Sequence, residues 1–220
     1  MDLLTQSILV VLMIVALLVG IIGHEIMHGL VAYHYGDTSA KEAKRLSINP
    51  IRHIDIVGSI ILPAVLYCVN APFLFGWAKP VPVNIHYIIE RNGYGAAIGV
   101  AIAGVSYNFA LALLASIILN SGFFDTAEHT ISSAIVVTFL IYLIKYNVFL
   151  CFFNLLPIPP LDGSRVLIFA ALKFRFLQLA KFLENIAPYG MIILIIVLFI
   201  PTLSDILFYP VTMLLKFLLL

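Results

Sequence analysis

The chain has 220 residues, of which 63% are hydrophobic and only 10% are Asp, Glu, Lys or Arg. A soluble domain carries about 25% charged residues; this few cannot cover a water-facing surface, and the apolar excess equally excludes a disordered chain. A formal net charge of +1 leaves no basic footprint for nucleic acid.

The composition is that of an all-α polytopic membrane protein, read as a single domain over 1–220 with the lipid bilayer as partner. A hydrocarbon core of about 30 Å takes about 20 apolar residues as helix. The first apolar run extends from Leu3 to about Tyr35. Asp2 stands where a signal peptide would be basic and no small-residue cleavage site follows, so a retained helix is expected. Further runs cover Val57–Phe75, Gly95–Leu119, Ser132–Phe153, Leu161–Leu183 and Ala187–Leu220. Lys173, Arg175 and Lys181 put part of the fifth run at the interface. Pro201 and Pro210 make the last either one bent span or a span plus an interfacial helix. Five or six membrane helices are expected. Cys68 and Cys151 lie far apart in apolar stretches and read as buried filler.

Loop charge sets orientation. Lys41, Lys44, Arg45 and Arg52 place the loop after the first helix in the cytoplasm and the N-terminus outside; 120–131, with Asp125 and Glu128 but no Lys or Arg, reads as external. Lys79 and Arg91 ask for 76–94 to be cytoplasmic too, which one complete span at 57–75 would forbid. Pro63 and the Asn70-Ala71-Pro72 break allow a re-entrant hairpin there.

Within the first helix stands His24-Glu25-Ile26-Met27-His28, an HExxH sequence. The i, i+4 spacing puts both imidazoles on one helix face, where they can share a Zn²⁺ while the glutamate acts as general base. Ile8 to Gly23 is free of charge, and 16 residues at 1.5 Å span about 24 Å, so the motif lies inside the hydrocarbon, nearer the cytoplasmic face. A charge at the centre of a membrane helix costs roughly 2.5–3.5 kcal/mol, which metal coordination offsets. The competing explanation is an inter-helix hydrogen-bond cluster without metal.

A catalytic zinc needs a third protein ligand. His34 falls at the spacing of HExxHxxGxxH, but Val31 occupies the turn-forming glycine position, and in a continuous helix His34 points elsewhere. His53, His86, His129 and Asp55 sit in polar connections and are expected to face solvent. The stronger candidate is Asp162, which follows three prolines in Asn154-Leu155-Leu156-Pro157-Ile158-Pro159-Pro160-Leu161-Asp162-Gly163. Broken helix at membrane depth is tolerated where it is buried in protein or lines a cavity, and Gly163 leaves room for close backbone approach. The alternative role for Asp162 is a helix N-cap.

HEIMH and NLLPIPPLDG together resemble the site-2 protease family of intramembrane zinc metalloproteases, peptidase family M50. Leu46–Asp55, Phe75–Asn84 and Ala103–Asn108 look like further segments of its bacterial branch, although Val105 stands where that family usually has proline. The resemblance covers about residues 20–166. It implies that His24, His28 and Asp162 bind one Zn²⁺ per chain, that Glu25 is the catalytic base, and that Asn154 positions substrate or stabilises the oxyanion. It gives Asn108 a supporting role near the site.

The implied substrates are transmembrane segments of other proteins, cut near the cytoplasmic side of what is expected to be a bacterial inner membrane. The implied form is compact, without the PDZ or CBS domains of many members. The segment Trp77–Asn84 is either a β-like edge for an extended substrate or an ordinary interfacial loop with Trp77 at the headgroups. Ser106, Asn108, Asn147 and Asn154 either line a water path or bridge helices. The functional alternative is a membrane zinc-binding or transport protein that does not cut, for which the glutamate of HExxH would be superfluous.

Overall fold

The computed structural model describes residues 3–61, 64, 65, 68, 77–122 and 130–219. Among these residues the regular structure is entirely helical. Helix α1 (Leu3–His34) is continuous. It stops where Gly36, at φ 92, lets the Gly36 and Asp37 N–H groups reach back to the Tyr33 and Ala32 carbonyls, a left-handed cap that satisfies the last turn. A short helix α2 (Ser39–Glu42), a 3-10 turn (Pro50–His53) and a π-helical turn (Ile56–Ile61) follow.

Helix α3 (Ile85–Leu119) is kinked at Gly93, whose backbone is non-helical, so a short entry helix precedes the apolar part. Helix α4 (Ile131–Asn154) starts in a capping box between Thr130 and Ser133. Together α1, α3 and α4 pack around Ala16, Ala112, Ala115, Ile144 and Val148. The small residues let the backbones approach closely, which is how helices associate where lipid supplies no hydrophobic drive.

Among the described residues, four helical stretches are long and apolar enough to cross a membrane: Leu4–His34, Ile85–Leu119, Ile131–Asn154 and Leu177–Phe199. The run expected at 57–75 lies mostly outside the described residues, and so does the re-entrant hairpin proposed for it. The run expected at Leu161–Leu183 is divided. Helix α5 (Asp162–Lys173) ends with Arg175 at φ 63, and the Phe176 N–H returns to the Ala171 carbonyl in a left-handed cap that reverses the chain.

Helix α6 (Leu177–Ile186) then continues through a 3-10 turn (Ala187–Tyr189) into α7 (Gly190–Phe199), and it is this composite that reaches membrane length. Pro201 forces Ile200 into extended backbone (ψ 106) and separates α7 from α8 (Pro201–Leu218), while Pro210 is absorbed within α8. The last apolar run is therefore two helices with a break, not one bent span. Cys151 is buried as expected; Cys68 is exposed, against its reading as buried filler.

Candidate metal centre and active site

Because α1 runs unbroken through HEIMH, His24 and His28 stand one turn apart with ring centroids 4.7 Å from each other. Asp162 reaches them from the start of α5. Its Oδ2 lies 3.0 Å from His24 Nε2 and 3.1 Å from His28 Nε2, and the two Nε2 atoms are 3.1 Å apart. The Leu161 residue, not Asp162, occupies the cap position of α5, so the carboxylate is turned to the histidines rather than to its own helix. Among the described residues, this is the trio of His, Cys, Asp or Glu side chains able to hold a metal ion. Helix α1 carries His34 past the site, where its ring meets Tyr35.

Two close approaches build the trio. A Cβ on Gly104 of α3 would sit 2.5 Å from the His24 ring, so glycine leaves the space that the imidazole fills. A Cβ on Gly163 would overlap the Leu155 carbonyl, so glycine lets α5 begin against the end of α4.

The imidazole tautomers follow from their outer partners. His28 Nδ1 is 2.7 Å from the Val100 carbonyl, which can only accept, so Nδ1 carries the proton. His24 Nδ1 is 2.7 Å from Asn108 Oδ1. Both Nε2 lone pairs therefore face each other and a carboxylate oxygen at 3.0–3.1 Å. Three acceptors so placed repel unless a cation lies between them. Zinc–nitrogen bonds of about 2.0–2.1 Å in a tetrahedral site separate ligand atoms by about 3.3 Å. The donor set and its spacing fit a zinc ion.

Glu25 points to another side of α1, and its Oε2 accepts from the Val81 N–H at 2.9 Å. A cavity of about 360 Å³ opens there, lined by His24, Glu25, Trp77, Phe153, Asn154 and Met191 among others. Asn154 donates one Nδ2 hydrogen to the Leu150 carbonyl at 3.0 Å and is among the residues that line the cavity. Its walls are predominantly apolar with a few polar groups, the usual make-up of a binding cavity.

Residues 77–84 form no strand, yet they keep a period of two. The N–H groups of Trp77, Lys79 and Val81 go to the Gly58 carbonyl, the His53 carbonyl and the Glu25 carboxylate. Pro80 and Pro82 fall at the alternate positions, where no N–H is required. Arg45 is buried and its guanidinium donates to the Lys79 and Pro80 carbonyls, tying the segment down.

His53, expected to face solvent, is buried; its Nε2 donates to the Ser47 carbonyl at 2.7 Å. His86 is exposed and His129 lies outside the described residues. Asn108 and Asn147 are fully buried bridges between helices and do not line a water path, whereas Ser106 is exposed.

The Val81–Glu25 bond and the Arg45 clamp carried no signal in the sequence. Asn147 did carry one, since it lies seven residues before Asn154 and shares its helix face.

A Bacillus subtilis protein named "Putative zinc metalloprotease YwhC" is 35% identical over 157 residues, 70% of this chain and 67% of the relative. A Mycolicibacterium smegmatis protein named "Putative zinc metalloprotease Rip2" is 28% identical over 195 residues, 88% of this chain and 69% of the relative. No family model and no solved structure matches. Apolar helices gathered around two histidines, an aspartate and a neighbouring glutamate define the class, a helical membrane metalloprotease. Within that class the chain belongs to the compact, site-2-protease-like family of which YwhC is a relative.

Proposed function

We propose that the chain is an intramembrane zinc endopeptidase of the site-2 type, peptidase family M50, which hydrolyses peptide bonds within or next to transmembrane segments of other proteins in regulated proteolysis. The observation that carries the reading is the clustering of three metal-ligand atoms on His24, His28 and Asp162, with His24 also lining an apolar-walled cavity beside Glu25 and Asn154. His24, His28 and Asp162 would hold one zinc per chain, which supplies Lewis acidity and a water of lowered pKa.

Glu25 is the general base. With Oε2 held by the Val81 N–H, Oε1 takes a proton from the attacking water and returns it to the leaving amine nitrogen. Asn154 uses the Nδ2 hydrogen not committed to Leu150 to donate to the scissile carbonyl oxygen as charge develops there, a role worth about 3–4 kcal/mol per donor. Met191 and Phe153 supply apolar lining against which the segment being cut would pack. The bacterial relatives support a bacterial membrane protein, and the basic residues after α1 support an orientation with this site toward the cytoplasm of the inner membrane.

The test is cleavage of a single-span reporter by the purified chain in liposomes. Wild type cuts and Glu25→Gln, still loaded with zinc, does not. Equal cutting by both would rule the mechanism out. Zinc bound with no cutting of any single-span substrate would favour a zinc-binding or transport protein.

A further inference from the structure

One proposed metal ligand, His24, rests on a buried hydrogen-bond chain that runs through α3 to α4. His24 Nδ1–H donates to Asn108 Oδ1 at 2.7 Å. The Asn108 amide then donates both its hydrogens, one to the Gly20 carbonyl at 3.1 Å and one to Asn147 Oδ1 at 2.8 Å. Asn147 Nδ2 in turn donates to the Leu143 carbonyl of its own helix at 2.8 Å. Both asparagines have no exposed surface.

Each orientation in this chain is forced. The Leu143 carbonyl can only accept, so it fixes Nδ2 of Asn147 on its side and leaves Oδ1 facing α3. With acceptors at Gly20 and Asn147, Asn108 has only its oxygen left for His24. An oxygen there requires the His24 proton on Nδ1 and leaves the Nε2 lone pair for the metal position. Hydrogen bonds aligned in one direction also polarise one another, and an acceptor on the distal nitrogen makes an imidazole a better ligand.

We infer that Asn147 is a positioning residue for the metal centre: through Asn108 it holds the His24 ring in the orientation and tautomer that bind zinc. The inference rests on the zinc-site reading, since Asn147 touches no ligand itself. A purely structural Asn147 would bridge α3 to α4 and influence stability alone.

Zinc dissociation constants of the detergent-purified full chain, measured by chelator competition, separate the two roles. Asn147→Leu removes the acceptor with little change of volume and should weaken zinc binding about ten-fold, within the range for outer-shell partners. Asn108→Leu should weaken it at least as much. The double variant should bind no more weakly than Asn108→Leu, because one residue acts through the other.

Asn147→Asp, whose carboxyl still accepts from Asn108, should stay within about two-fold of wild type if the acceptor is what matters. Ser116→Ala, which cuts a buried α3–α8 bond to the Leu218 carbonyl, should lower the melting temperature and leave zinc affinity alone.

Should Asn147→Leu not fold, Asn147→Ala carries the same prediction. Wild-type affinity in the folded Asn147 variants, or losses that add with Asn108→Leu, would overturn the inference while the zinc site stands. Absence of zinc from folded wild type would overturn both.

Discussion

The two walls of the cavity are held in different ways. On the ligand side, three long helices fix His24 and His28 through side-chain and backbone acceptors, and the Asn108 and Asn147 amides behind His24 are fully buried with their hydrogen bonds running in one direction. On the opposite side, irregular backbone at 77–81 is fixed by single N–H contacts and by the Arg45 guanidinium, and one of those contacts ends on Glu25. The ligand wall spends its polar groups on one another, which suits a metal site that must keep its geometry. The loop wall gives its polar groups to Glu25 and to neighbouring turns, which suits the substrate-facing role proposed for it.

Substitutions should therefore separate metal binding from turnover according to the wall they fall on. The largest effect is expected for Asp162→Ala, which leaves two imidazoles without their third partner; zinc should be lost by elemental analysis and cleavage with it. Glu25→Gln should keep its zinc and lose about 10²- to 10⁴-fold in cleavage rate, the usual worth of a positioned acid–base group. Gly104→Ala pushes a methyl against the His24 ring from the ligand wall. Zinc affinity should fall about ten-fold or more, read by chelator competition.

Arg45→Gln loosens the opposite wall. Cleavage should slow by about ten-fold, roughly 1.4 kcal/mol of barrier, with zinc content unchanged. Zinc loss from Arg45→Gln would erase the distinction between the walls.

A smaller effect belongs to Asp37, a buried carboxylate at the end of α1. Burial opposes its charge, but hydrogen bonds from Ser39 Oγ at 2.5 Å, Ser39 N–H at 3.0 Å and the Asn84 N–H at 2.6 Å outweigh it and hold the carboxyl below its ordinary range. A folded pKa below the unfolded value of about 3.9 adds stability above that value. The increment is lost as pH falls through the lower folded value. Asp37→Asn should be less stable than wild type at neutral pH by about 1–2 kcal/mol, and the two should converge in strong acid. A constant difference from pH 7 to pH 2 would contradict this.

The ligand wall was the more legible in sequence, and for a physical reason. HEIMH places two imidazoles by helical period alone, and the proline break before Asp162 marks irregular backbone that must be buried. Both are local patterns. Asn147 and the Gly104 approach depend on which helices meet, and a polar residue inside an apolar helix does not announce its partner. The loop wall was the harder to read because irregular backbone has no period to project. Arg45 entered the reading only as loop charge and His53 as a solvent-facing group, yet both are buried. The division of 161–183 turned on Arg175 adopting the left-handed conformation usually given to glycine, which composition does not foretell.

The most direct test of the central claim is zinc per chain, by elemental analysis of the detergent-purified protein, in wild type, Asp162→Ala and His34→Ala. The account predicts about one zinc in wild type and in His34→Ala, from a single three-ligand site, and almost none in Asp162→Ala. Zinc retained by Asp162→Ala but lost from His34→Ala, or no zinc in folded wild type, would contradict it.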